Sequence, residues 1–481
     1  MVEKADSSDE DERLDRISEL PDFVLHQILS LLQTREAIKT GVLSKRWECL
    51  WSSISVLNFY DLKENEEEFM NFVDRTLILH EGSKIRKFRV DFAEYEDWFI
   101  SHVDSWIRFA VRKKVEDLDL DLSPTLYSDR FQLPQHLYTN ATLTKLSLHY
   151  CDIKPIGPIS WRLRSLSLAN VHFSDNVIHD ILSGSHLLEF LHLQECRGLM
   201  HLNITSPSLK KLIVQYDDHN PFDRDPVLEI SAPNLQSLDI LGFWYRRCRL
   251  MNLQCLVHAT IDFEVVMDDE VVMDDEDEVV MDDEDSDDDY EVCLNILREL
   301  LEKLHHVKDL TIGTWCIQIL STGELKILHS PSSKRKCLIL DTYITKWDLP
   351  GIASLLRSSP DLETLVVNIT SPGSIQFDND FLALYDFDEE NYWKSSEPSF
   401  QCLLHNLKTI KIFDFVAGHG QMDLVQFLLK HAMVLEKMMI YSKRLANLKW
   451  RKRFMPEELL EFTQKMLRFP RASSHAVILF S

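Results

Sequence analysis

The sequence predicts an α/β solenoid behind a short three-helix N-terminal module, and three observations carry that prediction. A phrase with apolar residues at its first, fourth and sixth positions recurs at intervals of 20 to 30 residues. The opening segment instead spaces its apolar residues as helices do. Glycine is scarce, 12 in 481 residues against a usual share of about 7%. That scarcity leaves no Gly-rich phosphate loop and no G-x-G-x-x-G turn.

The helical module runs from Asp15 to Trp51. Pro21 suits a first helical turn, where a missing N–H costs nothing, and Leu25, Ile28, Leu29 and Leu32 follow at the spacing of one inward stripe. Thr34 and Ser44 are placed to cap two further short helices, and the second carries Trp47, Leu50 and Trp51 on one side. So short a segment cannot bury all these side chains within itself, which argues for a partner. The order Leu20-Pro21, Val24-Leu25, Ile28-Leu29 and Leu32, then Val42-Leu43-Ser44-Lys45-Arg46-Trp47 and Leu50-Trp51, resembles the F-box motif, especially its plant form. The resemblance implies binding of a Skp-family adaptor, and through it of cullin and RING subunits. Leu20, Pro21, Leu25, Ile28, Leu29, Leu32, Val42, Leu43, Ser44, Trp47, Leu50 and Trp51 match the family's adaptor-facing and core positions.

The recurring phrase follows as Ile85-Phe88-Val90, Val115-Leu118-Leu120, Leu143-Leu146-Leu148, Leu163-Leu166-Leu168, Leu188-Leu191-Leu193, Leu209-Leu212-Val214 and Leu235-Leu238-Ile240. This spacing is that of leucine-rich repeats, with looser units beginning at Leu256, Val307, Leu362 and Leu407. In such a unit the last two anchors point inward from a short strand and the residue between them faces the concave side. Asp119, Ser147, Ser167, His192, Ile213 and Asp239 take that place. Their mixed chemistry suits recognition of a protein target, although solenoids of this kind can hold a small molecule as well. Phrases such as Ser206-Pro207-Ser208-Leu209 and Ala232-Pro233-Asn234-Leu235 resemble repeat junctions in plant F-box proteins with leucine-rich repeats.

Between Asp262 and Glu291 the array is interrupted by a tract in which VVMDDE begins at Val265, Val271 and Val279. It holds 18 Asp and Glu and no Lys or Arg, so most of the net charge of −26 is local. Self-repulsion predicts a disordered insertion over 262–290. Lys443, Arg444, Lys449, Arg451, Lys452 and Arg453, interleaved with Trp450 and Phe454, form a basic cluster on which that insertion could dock. The same cluster could serve as a nuclear import signal; nucleic-acid binding ranks low for so acidic a chain. Leu407-Lys408-Thr409-Ile410, Leu424 to Leu429, Val434-Leu435 and Arg468-Phe469-Pro470-Arg471 resemble, in that order, the FBD domain found C-terminally in plant F-box proteins. The expected organisation is an acidic tail over 1–14, the F-box over 15–60, leucine-rich repeats over 61–397 and the FBD segment over 398–481.

Several function classes are excluded on motif grounds. The acidic N-terminus has neither an apolar signal core nor Arg-rich transit character, and no 18-residue apolar run is present, so the expected compartment is nucleus or cytoplasm, with no membrane partner. Nine scattered cysteines without C-x-x-C spacing predict reduced thiols and no metal. The sequons at Asn140, Asn203 and Asn368 are then read as unmodified. Nineteen histidines allow accidental triads on paper, but no G-x-S-x-G, H-E-x-x-H or kinase motif frames them. His305 and His306 are adjacent on a helix-like stretch and point apart. The expected function, implied by the resemblance, is a non-catalytic substrate receptor of an SCF-type ubiquitin ligase without cofactor. A scaffold that binds the adaptor but delivers no target is the alternative, and a chaperone-like role for the acidic tract is a third.

Overall fold

The computed structural model describes residues 17, 20–60, 66–95, 99–124, 130–216, 227–243, 248–264, 286–328, 330–370, 392–393, 400–416, 418–441 and 463–480. The chain forms two compact units, Met1–Val171 and His172–Ser481.

The first unit opens with three short helices, α1 (Asp22–Leu29), α2 (Thr34–Lys39) and α3 (Lys45–Leu50). Beyond α3 the chain enters β1 (Val56–Tyr60), then α4 (Glu66–Leu79), β2 (Lys87–Tyr95), α5 (Ile100–Arg112) and β3 (Asp117–Pro124). There follow β4 (Phe131–Gln132), β5 (Lys145–His149), β6 (Cys151–Asp152) and β7 (Ser165–Ala169). β1, β2, β3, β5 and β7 pair side by side, all parallel. In register, Leu57, Phe88, Leu118, Leu146 and Leu166 stack in one row and Phe59, Val90, Leu120, Leu148 and Leu168 in the next. Both rows are buried, and each such side chain contributes about 1.5 to 3 kcal/mol. β4 and β6 form a small pair of their own.

The second unit repeats the scheme. It contains α6 (Asp175–Gly184), β8 (Phe190–Gln194), β9 (His201–Asn203), β10 (Lys211–Tyr216), β11 (Leu228–Ser231), β12 (Ser237–Phe243), β13 (Cys248–Met251) and β14 (His258–Glu264). Next come α7 (Ser286–Lys303), β15 (Asp309–Gly313), α8 (Thr314–Leu325), β16 (Cys337–Asp341), α9 (Leu349–Arg357) and β17 (Thr364–Asn368). The chain closes with α10 (Gln401–His405), β18 (Thr409–Phe413), α11 (His419–His431), β19 (Lys437–Tyr441) and β20 (Val477–Phe480). β8, β10, β12 and β14 through β20 form a parallel sheet in that order, and β9, β11 and β13 form a second one. The strands at 409–413, 437–441 and 477–480 thus continue the sheet that holds 364–368.

All seven predicted first anchors, from Ile85 to Leu235, are buried, as are Leu256, Val307, Leu362 and Leu407. β16 is a repeat strand that the apolar phrase misses. The first-anchor place before Leu338 and Leu340 is held by Arg335, whose side chain is nonetheless buried. Where the chain leaves a strand it often turns through a left-handed residue: Tyr150, Asn170, Glu195 and Asp414 follow β5, β7, β8 and β18 with φ between 49° and 58°. The Tyr150 and Glu195 amides then bond to the next strand's Ala169 and Gln215 carbonyls, which offsets the left-handed strain.

The acidic insertion is narrower than the sequence predicts. Asp262 to Glu264 close β14 and Ser286 to Tyr290 open α7, where carboxylates favour a helix N-terminus. Residues 265–285 and the basic cluster at 443–454 lie outside the described residues.

Candidate adaptor interface and repeat face

The predicted site residues of the three-helix module divide into two sets. Leu25, Leu29, Trp47 and Leu50 are buried and form its core, and Leu20, Ser44 and Trp51 are half-buried. Pro21 is exposed, while Ile28 at 39%, Leu32 at 37%, Leu43 at 64% and Val42 at 89% present apolar surface to solvent. The single inward stripe is therefore corrected: α1 stops at Leu29, Ser30 bonds back to the His26 carbonyl at 2.6 Å, and Leu32 leaves the helical face. Three exposed apolar residues were missed, Ile17 at 58%, Phe23 at 65% and Leu31 at 87%. Phe23 and Leu31 fall off the helical stripe, so periodicity gives no signal for them.

The predicted caps are also corrected. Gln33, not Thr34, precedes α2, and Thr34 Oγ1 instead accepts the Asn58 amide at 2.7 Å. Ser44 precedes α3 without capping it, and its hydroxyl is buried with no hydrogen-bond partner among the described residues. α1 is tied to α3 by Arg46, which donates to Asp22 Oδ1 through Nη2 at 2.5 Å and to the Leu20 carbonyl at 2.6 Å.

The module is continuous with the first repeat. The Ser52 carbonyl accepts the Glu81 and Gly82 amides, the Ser55 carbonyl accepts those of Arg86 and Lys87, and His80 Nε2 bonds to the Ile54 carbonyl at 2.9 Å. Burial holds the His80 imidazole below its usual pKa, so it stays neutral and can donate to that carbonyl. The Arg35 guanidinium lies 4.8 Å from the centre of the Phe72 ring, which itself packs edge-on against Phe59.

On the strand faces opposite the anchors, the predicted recognition residues line up by register. In the first unit the row is Arg89, Asp119, Ser147 and Ser167, and in the second it is His192, Ile213, Asp239 and Thr260. Arg89 bridges Asp91 at 3.1 Å and Asp119 at 3.5 Å, and Lys211 pairs with Asp239 at 2.6 Å. Burial raises the Asp91 and Asp117 carboxyls above the usual range, and the Asp121 charge adds to the effect at Asp91.

Three candidates for other chemistry can be placed. His305 and His306 do not point apart as expected: their rings meet edge-on with centroids 5.4 Å apart, while each bonds to a separate carbonyl, those of Glu302 and Leu253. Among the described residues no group of three or more His, Cys, Asp or Glu is arranged to hold a metal, and no helix is long and apolar enough to cross a membrane. Among the same residues no disulfide joins the cysteines, and burial pushes the Cys402 thiol up to about 12 and that of Cys337 to about 11.

A three-helix module with an apolar exposed surface, fused to an α/β array of parallel strands, defines an F-box protein with leucine-rich repeats. Residues 17–59 match the F-box domain, and residues 76–468 match the family described as At1g61320/AtMIF1, LRR domain. The chain belongs to that leucine-rich-repeat family. It is similar to two Arabidopsis thaliana proteins, F-box/LRR-repeat protein At5g02910, 30% identical over 89% of this chain and 88% of the relative, and F-box/LRR-repeat protein At3g03360, 31% identical over 77% and 74%. A third Arabidopsis relative, At4g03220, whose name carries the terms F-box, FBD and LRR-repeat, is 28% identical over 97% of this chain and 96% of its own length.

Proposed function

We propose that the chain is the substrate-recognition subunit of an SCF-type ubiquitin ligase. The F-box binds a Skp-family adaptor, and through it cullin and RING subunits, while the repeats hold a protein target. Leu25, Leu29, Trp47 and Leu50 build the F-box core, with Ser44 and Trp51 at its margin. Leu20, Pro21, Ile28, Leu32, Val42 and Leu43 supply the adaptor contact. The repeats run to about residue 397 and residues 398–481 form the FBD segment, which extends the strand array. In the ligase role the chain contributes proximity rather than bond chemistry: a bound target meets the conjugating enzyme at a raised effective concentration. The reading places the chain in the nucleus or cytoplasm.

The observation that carries this reading is the exposure of Val42 at 89% and Leu43 at 64% in a segment matching the F-box. Apolar side chains so exposed are expected at an interface centre, where truncation of a hot-spot residue costs about 2 kcal/mol or more. The test is a pull-down of the purified chain with a Skp-family adaptor, comparing wild type with Val42→Ala, Leu43→Ala. The variant should keep its circular dichroism and melting profile and lose adaptor binding. Absence of binding by the wild type would sink the reading.

A further inference from the structure

Strand register on the outward face of the first unit assembles three side chains that no local motif connects. β3 and β5 pair with Asp121 opposite His149, and the two-residue period of β5 puts Ser147 on the same face as His149. His149 Nδ1 lies 3.3 Å from Asp121 Oδ2, and His149 Nε2 lies 3.2 Å from Ser147 Oγ. With the carboxylate at Nδ1, that nitrogen carries the proton, which leaves the Nε2 lone pair to accept the serine hydroxyl. The Asp121 and His149 side chains are 26% and 29% exposed and Ser147 is half-buried, so the line is partly desolvated yet open to solvent. The separations sit at the long end of hydrogen-bond reach.

We propose that Ser147 is an activated nucleophile that accepts an acyl group from activated esters or thioesters, with His149 as its base and Asp121 as the positioning residue. Ser147 Oγ forms a bond to the donor's carbonyl carbon as its proton passes to His149 Nε2. The carbon–oxygen or carbon–sulfur bond to the leaving group then breaks, and the departing alkoxide or thiolate takes that proton from His149. The product is an acyl-serine. It accumulates because the two steps differ in leaving group: with the backbone amides of β5 engaged in pairing with β3 and β7, neither step has an oxyanion donor there, so only an activated donor reacts and the unactivated serine ester persists.

The charges facing the imidazole come from two neighbouring strands. Burial alone would lower the His149 pKa, but the hydrogen bond and charge of Asp121, with the charge of Asp119, outweigh burial and Arg89 and raise it. The acylation rate should therefore climb with pH through a point above the ordinary histidine value. This inference is independent of the adaptor reading, since neither the residues nor the readout are shared.

The experiment treats the full-length chain with p-nitrophenyl acetate and follows acetyl incorporation by peptide mass spectrometry. The expected result is one acetyl group per chain, on the peptide carrying Ser147, absent in Ser147→Ala and slowed on the order of a hundredfold in His149→Gln. Asp121→Asn should displace the pH profile to lower pH, an effect that a merely structural role would not produce. Labelling of Ser147 no faster than of Ser167, or a wild-type rate that stays flat through the histidine range, would overturn the proposal. Because these two readouts come from the wild-type chain, they decide the matter even if a variant fails to fold.

Discussion

Replacing Arg335 by Met should make the protein more stable. Arg335 stands where the other repeats place an apolar first anchor, is 1% exposed, and leaves Nη1 buried without a hydrogen-bond partner among the described residues. Burial lowers its pKa well below the ordinary arginine value, to about 10. Each pKa unit corresponds to about 1.4 kcal/mol, so holding the guanidinium charged inside the fold costs about 3 kcal/mol. The sign follows from linkage. A cation whose folded pKa is depressed is penalised in full below the folded value, and the penalty is relieved only as pH rises above about 10 towards the ordinary arginine value. At pH 7 it is complete. Methionine keeps an unbranched stem to fill the site without the charge, and exchanges of buried ions for apolar groups can stabilise by about 1 to 4 kcal/mol. The assay is denaturant unfolding of the full chain at neutral pH, read as the midpoint of the second unit's transition. A midpoint moved upward by an amount equal to about 1 kcal/mol or more is expected. A midpoint moved downward would refute the reasoning, because it would mean that the guanidinium is held by a partner the fold depends on.

Thr34→Val should remove the acceptor of the Asn58 amide and cost about 1 to 3 kcal/mol, seen as faster hydrogen exchange at Asn58. The Asp348 carboxyl, pushed up to about 6 by burial against Thr345 hydrogen bonds that oppose the rise, makes the protein lose stability as pH climbs from about 4 to 6, by roughly 3 kcal/mol. Asp348→Asn should flatten that slope when urea midpoints are compared across the range. In α9, a Cβ added at Gly351 would fall 2.0 Å from the Ile317 carbonyl oxygen of α8. Gly351→Ala should therefore push the helices apart at a cost of about 1 to 3 kcal/mol, lowering the melting temperature.

The repeat strands were legible in the sequence because the physics that builds them is local. An apolar side chain at Leu143, Leu146 and Leu148 is there to be buried, whatever its neighbours are, and the structure buries all three. β16 escaped because Arg335 breaks that correspondence between apolar character and burial. The F-box was legible as a motif, but the division of its apolar residues was not. A period of 3.6 places Ile28 and Leu32 on the stripe of Leu25 and Leu29, whereas the halt of α1 at Leu29 takes Leu32 off it at 37% exposure, and Ile28, still within α1, is 39% exposed at the edge of the stripe. Thr34 illustrates a different limit: a serine or threonine before a helix is read as a cap, yet its hydroxyl serves an amide 24 residues away. The Asp121–His149–Ser147 line is the clearest instance, since only the pairing of β3 with β5 brings Asp121 to a histidine 28 residues further on.

In the receptor role proposed above, the same strand pairing governs how a target would be presented. A flexible tether between adaptor-binding and target-binding parts would spread a target over a wide volume and dilute its effective concentration. Here Ile54 and Ser55, between the end of α3 and the start of β1, both give their carbonyls to the first repeat, and the Thr34 hydroxyl reaches from α2 to the amide of Asn58 in β1. Bending the joint would expose Ile54, Leu57 and Phe59, each 1% exposed or less, and at about 1.5 to 3 kcal/mol per side chain that opening is strongly disfavoured. The row of Arg89, Asp119, Ser147 and Ser167 therefore keeps a fixed bearing to Val42 and Leu43 within the first unit. Under the receptor function proposed above, a target seated on that row would inherit the bearing, and its lysines would be offered by position rather than by diffusion of a linker.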